Sequence, residues 1–173
     1  MNREALGASV GETGRIAGLF DRVSGPYDRV GVDFFRPIAA GLIESLDLVP
    51  GQSLLDVGCG RGAVLTLAAP TLGPGARVLG VDLSQGMLDR AREELDDAGL
   101  DWVELARADG QRLDVPAASF DVISASLVLF FMPDPPTALK SWFSVLTPGG
   151  RVGVTSFGGR DPRWAEVDDV FTP

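Results

Sequence analysis

The chain has 173 residues, with 24 acidic against 15 basic side chains, no histidine and one cysteine, for a net charge of −9. That acidity opposes binding to a nucleic-acid backbone or an anionic membrane surface, both of which draw on lysine and arginine. A lone Cys59 without histidine excludes an intramolecular disulfide and a Ser-His-Asp hydrolase and argues against a zinc centre, so no metal site is expected. The length suits one domain, and the expected partner is a small molecule. The start lacks the apolar core of a secretory signal and no run is long enough to span a bilayer, so the cytoplasm is the expected location, without membrane insertion.

Residues 1–14 are glycine-rich and polar and are expected as a mobile N-terminus. Ile16, Leu19, Phe20 and Val23 then fall at helical spacing before the breaker Ser24-Gly25-Pro26-Tyr27-Asp28, which predicts a short helix and a loop. Ile16 and Leu19 are expected to pack on the core. Phe35 to Leu48 predicts an amphipathic helix with Ile38, Leu42, Ile43 and Leu46 on one side, ended by Pro50-Gly51.

The stretch Leu54-Leu55-Asp56-Val57-Gly58-Cys59-Gly60-Arg61-Gly62 organises the rest of the chain. Leu54, Leu55 and Val57 read as a buried strand of a parallel sheet. The alternating glycines cannot continue it. They permit positive φ and let a ligand approach the backbone without meeting a Cβ. A helix over 63–72 then starts with free N–H groups at the strand's carboxyl end. A dinucleotide suits Gly58, Gly60 and Ala63 in the pattern G-x-G-x-x-G/A. A sulfonium nucleoside suits Asp56 with Gly58, Gly60 and Gly62. A phosphate loop of the G-x-x-x-x-G-K-[ST] kind is absent.

A second strand, Ala76 to Val81, ends at Asp82, a carboxylate able to accept from both ribose hydroxyls at once. Ser84 is placed to cap a helix over 84–98. Trp102 to Ala106 predicts a third strand, followed by Arg107-Ala108-Asp109-Gly110-Gln111, and Ser119 to Ser126 a fourth, running on into Leu127-Val128-Leu129-Phe130-Phe131-Met132. Pro136 to Leu146 predicts a helix, Thr147-Pro148-Gly149-Gly150 a turn and Arg151 to Thr155 a fifth strand. Strands alternating with helices give an α/β, doubly wound, mostly parallel, Rossmann-like sheet of order 3-2-1-4-5. Its glycine loop, Asp82 and Asp109 share the edge where such sheets bind ligands.

The segment Asp56 to Gly62 resembles the first motif of the class I S-adenosylmethionine-dependent methyltransferases, Val81 to Leu88 the second and Arg107 to Gln111 the third. Val145 to Val152 resembles the family's helix-to-strand turn. Over about residues 20–157 the chain is similar to the ubiquinone/menaquinone-biosynthesis (type 11) group. The resemblance implies S-adenosylmethionine as cofactor and S-adenosylhomocysteine as product. Asp56, Gly58, Gly60 and Asp82 would hold it, Leu83 and Met87 would sandwich the adenine, Asp109 would accept from its amino group, and the Gly110 N–H would meet a ring nitrogen. Ser126, with Leu127, matches positions that contact the methionyl part. Phe20-Asp21-x-x-x-x-x-Tyr27-Asp28 resembles a lid segment whose tyrosine, here Tyr27, lies near the methionyl end, so residues 15–50 are expected as lid helices over a core of residues 51–157. Phe130 and Phe131 stand where relatives often carry polar or histidine residues, which favours an apolar or aromatic acceptor.

The implied reaction is methyl transfer by in-line displacement, in which the protein mainly aligns the partners and excludes water. No residue is assigned as a base. One alternative is an NAD(P)-dependent reductase on Gly58, Gly60, Ala63 and Asp82, opposed by Asp56 and Asp109. Another is a catalytically silent nucleoside-binding partner protein. The family normally adds two strands beside the fifth, for which residues 158–173 are too few. The C-terminal strands are thus expected to be missing and the fifth strand's outer edge unpaired, a liability. Truncation of the chain, a second copy or partner chain over that edge, and a tail folded across it are three ways to account for this.

Overall fold

The computed structural model describes residues 3–25 and 35–158. The chain runs α1 (Arg3–Val23), α2 (Phe35–Leu46), β1 (Leu54–Val57), α3 (Ala63–Leu72), β2 (Val78–Asp82), α4 (Gln85–Asp97), β3 (Glu104–Arg107), β4 (Phe120–Ser126), a 3-10 turn (Leu129–Phe131), α5 (Pro135–Val145) and β5 (Leu146–Thr155). The strands form one five-stranded sheet, β3-β2-β1-β4-β5, the order expected. All four ladders are parallel.

Period-2 alternation splits the sheet's two faces. Leu54, Val78 and Val122 meet α2, α3 and α4 on one side. Leu55, Val57, Phe120 and Ile123 meet Ala138, Trp142 and Val145 of α5 on the other. With both faces covered, the central strands read as near-continuous apolar runs, and each residue of β1 is buried. Asp56 is the exception to that apolar run. It stands beside Gly80 on β2 and Ser124 on β4.

Several elements depart from the sequence pattern. The helix expected from Arg15 begins at Arg3, so residues 3–14, expected as a mobile extension, continue α1. α1 lies over the strand tips and packs on α4. Ala17 is buried, whereas Leu19 is 46 % exposed and Ile16 walls a cleft. β3 starts at Glu104 because Val103 N–H closes a turn onto the Leu100 carbonyl. β5 starts at Leu146 and absorbs the Thr147-Pro148-Gly149-Gly150 turn as a bulge. Its register with β4 jumps from Phe120–Leu146 to Val122–Arg151. Asp121 braces that bulge by accepting from Thr147 Oγ1 at 3.0 Å and from Ser53 N–H and Oγ, both at 2.8 Å. Among the described residues no strand pairs with the outer side of β5.

Candidate active site

The loop after β1 owes its path to glycine. Gly58 has φ +67° and Gly60 φ +52°, both in the left-handed region. A Cβ at Gly58 would lie 2.3 Å from Val128 Cγ2, whereas one at Gly60 would point into open space. Gly58 is therefore a packing requirement, and Gly60 leaves backbone open to a ligand. The Gly58 and Cys59 N–H groups donate to the Val81 carbonyl at 2.8 and 3.0 Å, which ties the loop to the tip of β2.

At that tip Asp82 accepts from the Gly60 N–H through Oδ2 and from the Ser84 N–H through Oδ1, each at 2.9 Å. Burial pushes its carboxyl above the usual range, against the pull of these N–H donors. Arg107 Nε donates to the Leu83 carbonyl at 2.9 Å and fixes the next residue. Ser84 caps α4 as expected, accepting from Met87 N–H at 3.1 Å.

Asp56 is 1 % exposed. Ser124 Oγ donates to its Oδ1 at 2.7 Å, while its Oδ2 is buried without a partner. Burial, with a smaller contribution from the Asp82 charge, lifts its carboxyl to about 7. Cys59 beside it is buried in the core, and burial pushes its thiol up.

The third tip is held from below. Asp109 accepts from Gln111 N–H at 2.9 Å. The Gly110 carbonyl accepts from Trp142 Nε1 at 2.6 Å, and Gln111 Oε1 accepts from Asp134 N–H at 2.9 Å. At the tip of β4, Ser126 Oγ and Thr155 Oγ1 are 3.1 Å apart. Leu127 comes next with φ +54°, an uncommon conformation for a residue with a Cβ. Its N–H is held by Thr155 O and Oγ1 at 3.2 and 3.1 Å.

These tips converge. Asp56, Gly58, Gly60, Asp82, Leu83, Met87, Asp109, Gly110 and Ser126 all line one cleft. Tyr27, the remaining candidate, lies outside the described residues. Met87 is both a cleft wall and 1 % exposed. Ile16 and Phe20 of α1 and Phe131 complete the wall. Phe130 and Phe131 are 44 % and 38 % exposed, so neither belongs to the core. A chain of rings runs Phe20–Phe131–Phe130–Phe157, with centroids 5.3, 4.5 and 5.4 Å apart.

Ser124, Trp142 and Thr155 were not among the sequence candidates. Ser124 was detectable as a hydroxyl inside an apolar strand, but its partner is set only by the β1–β4 register. Trp142 reads as an ordinary apolar helix position until its ring N–H is located. Thr155 ends a strand in sequence and shows no sign of its contact with β4.

The buried orphan oxygen of Asp56 calls for a donor or a cation. The same carboxylate, close to Asp82, would repel the pyrophosphate of a dinucleotide. The fold and the acidic cleft together thus define the class I S-adenosylmethionine-dependent methyltransferase fold. Residues 55–154 match the methyltransferase domain family, and the chain belongs to it. It is 44 % identical to nocamycin O-methyltransferase of Saccharothrix syringae, over 79 % of this chain and 49 % of that protein. It is 37 % identical to an aklanonic acid methyltransferase of Streptomyces sp. (strain C5), over 92 % of this chain and 72 % of that protein. The chain thus spans about half the length of the first relative and under three quarters of the second. Among solved structures, an S-adenosylmethionine-dependent methyltransferase of Mesorhizobium loti superposes with a TM-score of 0.59 at 35 % identity, covering 68 % of this chain and 52 % of that one. The [4+2]-cyclase SpnF shares the fold with a TM-score of 0.76 at 24 % identity, covering 87 % and 62 %.

Proposed function

We propose that the protein binds S-adenosylmethionine in this cleft and directs its methyl group to a small apolar or aromatic acceptor. The observation that carries the reading is Asp56 Oδ2, a buried carboxyl oxygen with no hydrogen-bond partner on the wall of a cleft that two further carboxylates line. The cofactor supplies a methyl group already activated on a sulfonium. The protein's share is alignment and exclusion of water.

In this reading Asp82 accepts from the ribose hydroxyls, and its fixed bonds to Gly60 and Ser84 aim it in advance. Asp109 accepts from the adenine amino group, the Gly110 N–H meets a ring nitrogen, and Leu83 and Met87 flank the ring. Asp56 and Ser126 hold the methionyl end, with Tyr27 assigned to the same end. Phe20 and Phe131 keep water from the transfer path and offer ring faces to the acceptor. The relatives' names, nocamycin, aklanonic acid and demethylmenaquinone, support a small organic acceptor. A cytoplasmic location and cover of the β5 edge by a second copy or a partner chain belong to the same proposal. The exposed Val154 on that strand supports the latter.

Calorimetric titration with S-adenosylhomocysteine and, separately, NADH tests the cofactor. Radiolabelled methyl transfer from S-adenosylmethionine to a panel of phenols, quinols and carboxylic acids tests the reaction. S-adenosylhomocysteine is expected to bind and NADH not to, and Asp82→Ala to weaken binding about tenfold or more, as loss of hydrogen bonds to a charged group implies. Binding of NADH instead, or an unaltered affinity in Asp82→Ala, refutes the reading.

A further inference from the structure

One side chain of α1 reaches out of its own helix to the loop that carries Asp82. Asp21 Oδ1 accepts from Ser84 Oγ at 2.5 Å and from the Gly86 N–H at 3.0 Å. Ser84 is fully buried. Its hydroxyl accepts from Met87 N–H while its backbone N–H donates to Asp82 Oδ1. An unbroken run of hydrogen bonds therefore joins α1, the cap of α4 and the carboxylate at the tip of β2. The Ser84 hydroxyl, then the Gly86 N–H, hold the Asp21 carboxyl below its ordinary range, with Arg107 and Arg22 adding to the effect against burial.

The approach of the two helices is close. A Cβ at Gly86 would lie 2.9 Å from Ser24 Oγ and 3.3 Å from the Asp21 carbonyl oxygen. Glycine at that position lets α1 seat. The residue next to Asp21, Phe20, lines the cleft together with Ile16 one turn earlier, and meets Phe131 edge-on at 5.3 Å. α4 already has its own cap in Ser84, so an extra acceptor from another helix does more for the position of α1 than for α4.

We propose that Asp21 is a positioning residue for the cofactor site: it holds α1 on the start of α4 so that Ile16 and Phe20 close the cleft, and through Ser84 it keeps Asp82 aimed into it. This rests on the reading of the cleft as an S-adenosylmethionine site.

Gly86→Ala separates this role from plain fold stability. Alanine favours a helix over glycine, so α4 gains, while the added Cβ pushes α1 away. The experiment compares wild type with Asp21→Ala, Asp21→Asn and Gly86→Ala by calorimetric titration with S-adenosylhomocysteine, thermal melting and hydrogen exchange of the α1 amides. Asp21→Ala and Gly86→Ala are expected to weaken binding about tenfold and to speed α1 exchange, with Gly86→Ala melting no lower than wild type. Asp21→Asn keeps an oxygen at the Oδ1 position and is expected to recover binding to within about threefold of wild type. Wild-type affinity in either Asp21→Ala or Gly86→Ala overturns the proposal. Failure of the wild-type protein to bind S-adenosylhomocysteine overturns the cofactor reading instead. The exchange data then decide the seating of α1, and unchanged α1 protection in Asp21→Ala overturns it.

Discussion

Asp56→Asn should stabilise the ligand-free protein and weaken its ligand, and both effects should grow with pH. The Asp56 carboxyl moves from an ordinary 3.8 to about 7, chiefly through burial, with Ser124 opposing and the Asp82 charge adding. The folded value lies above the unfolded one. Between the two, the unfolded chain gives up its proton first, so stability falls as pH rises, and the loss is complete above about pH 7. At about 1.4 kcal/mol per pH unit, that shift sets a ceiling of about 4 kcal/mol on the cost of holding the carboxylate ionised. Asparagine removes the cost but leaves an amide N–H short of a partner, about 1–3 kcal/mol. A net gain of at most about 1–3 kcal/mol remains at pH 8, or about 2–12 °C in Tm. At pH 5, where Asp56 already holds its proton, the gain should vanish or reverse. Thermal melts of both proteins at pH 5 and pH 8 measure it, and a difference independent of pH refutes the account. Titration at pH 8 adds the second half. Loss of a charged partner should weaken S-adenosylhomocysteine about 10- to 100-fold, the scale of one hydrogen bond to a charged group, and the gap should narrow at pH 5.

Trp142→Phe keeps the buried ring but removes the donor to the Gly110 carbonyl. It should cost about 1–3 kcal/mol in urea melts and weaken S-adenosylhomocysteine, since the loop carrying Asp109 loses its lower tie. Ala118→Gly should stabilise by about 0.5–1 kcal/mol in the same melts, because Ala118 is exposed and sits at φ +51°, where a Cβ is strained. Asp121→Ala should cost about 2–3 kcal/mol at pH 7, as Ser53 and Thr147 both lose their acceptor. The Asp121 carboxyl lies below its ordinary value, first because of the Ser53 N–H. Its contribution is present above pH 3.8 and lost as pH falls through the folded value, so the two melting curves should converge in acid.

The tips of the central strands were readable because their physics is local. An apolar run stops, glycines or a carboxylate come next, and a helix begins, so Asp56, Asp82 and Asp109 could be placed by counting along the chain. What could not be counted was register. The bond from Ser124 to Asp56 spans 68 positions of sequence, and only the β1–β4 pairing brings the two side by side. The length of α1 escaped because glycines at 7, 11 and 14 argue against a helix that docking on α4 supports. Phe130 and Phe131 could be set on an apolar wall beside the strand tips from their position after β4, though an apolar run of this length suits a core strand equally well. The 3-10 turn at Leu129–Phe131 is what turns them outward.

The two ends of the cleft are built on different footings. The strand-tip end rests on the central strands, most of whose residues are buried between the two helical layers, so a change there propagates into the sheet. The aromatic end rests on Phe20 from α1, Phe130 and Phe131 from a short 3-10 turn, and Phe157 just past β5, all near element ends and partly exposed. Those rings can change size without refitting the sheet. The ends meet at Leu127, where a positive φ turns the chain from β4 into the aromatic wall. Such a conformation costs of order 1–3 kcal/mol and persists only where neighbours over-determine it. Here the neighbour is Thr155, the last residue of β5, through two bonds to the Leu127 N–H. β5, whose outer side pairs with no strand among the described residues, therefore also sets the angle at which the aromatic wall leaves the sheet. Thr155 Oγ1 also stands 3.1 Å from Ser126 Oγ, so a shift at the end of β5 is felt at both ends of the cleft.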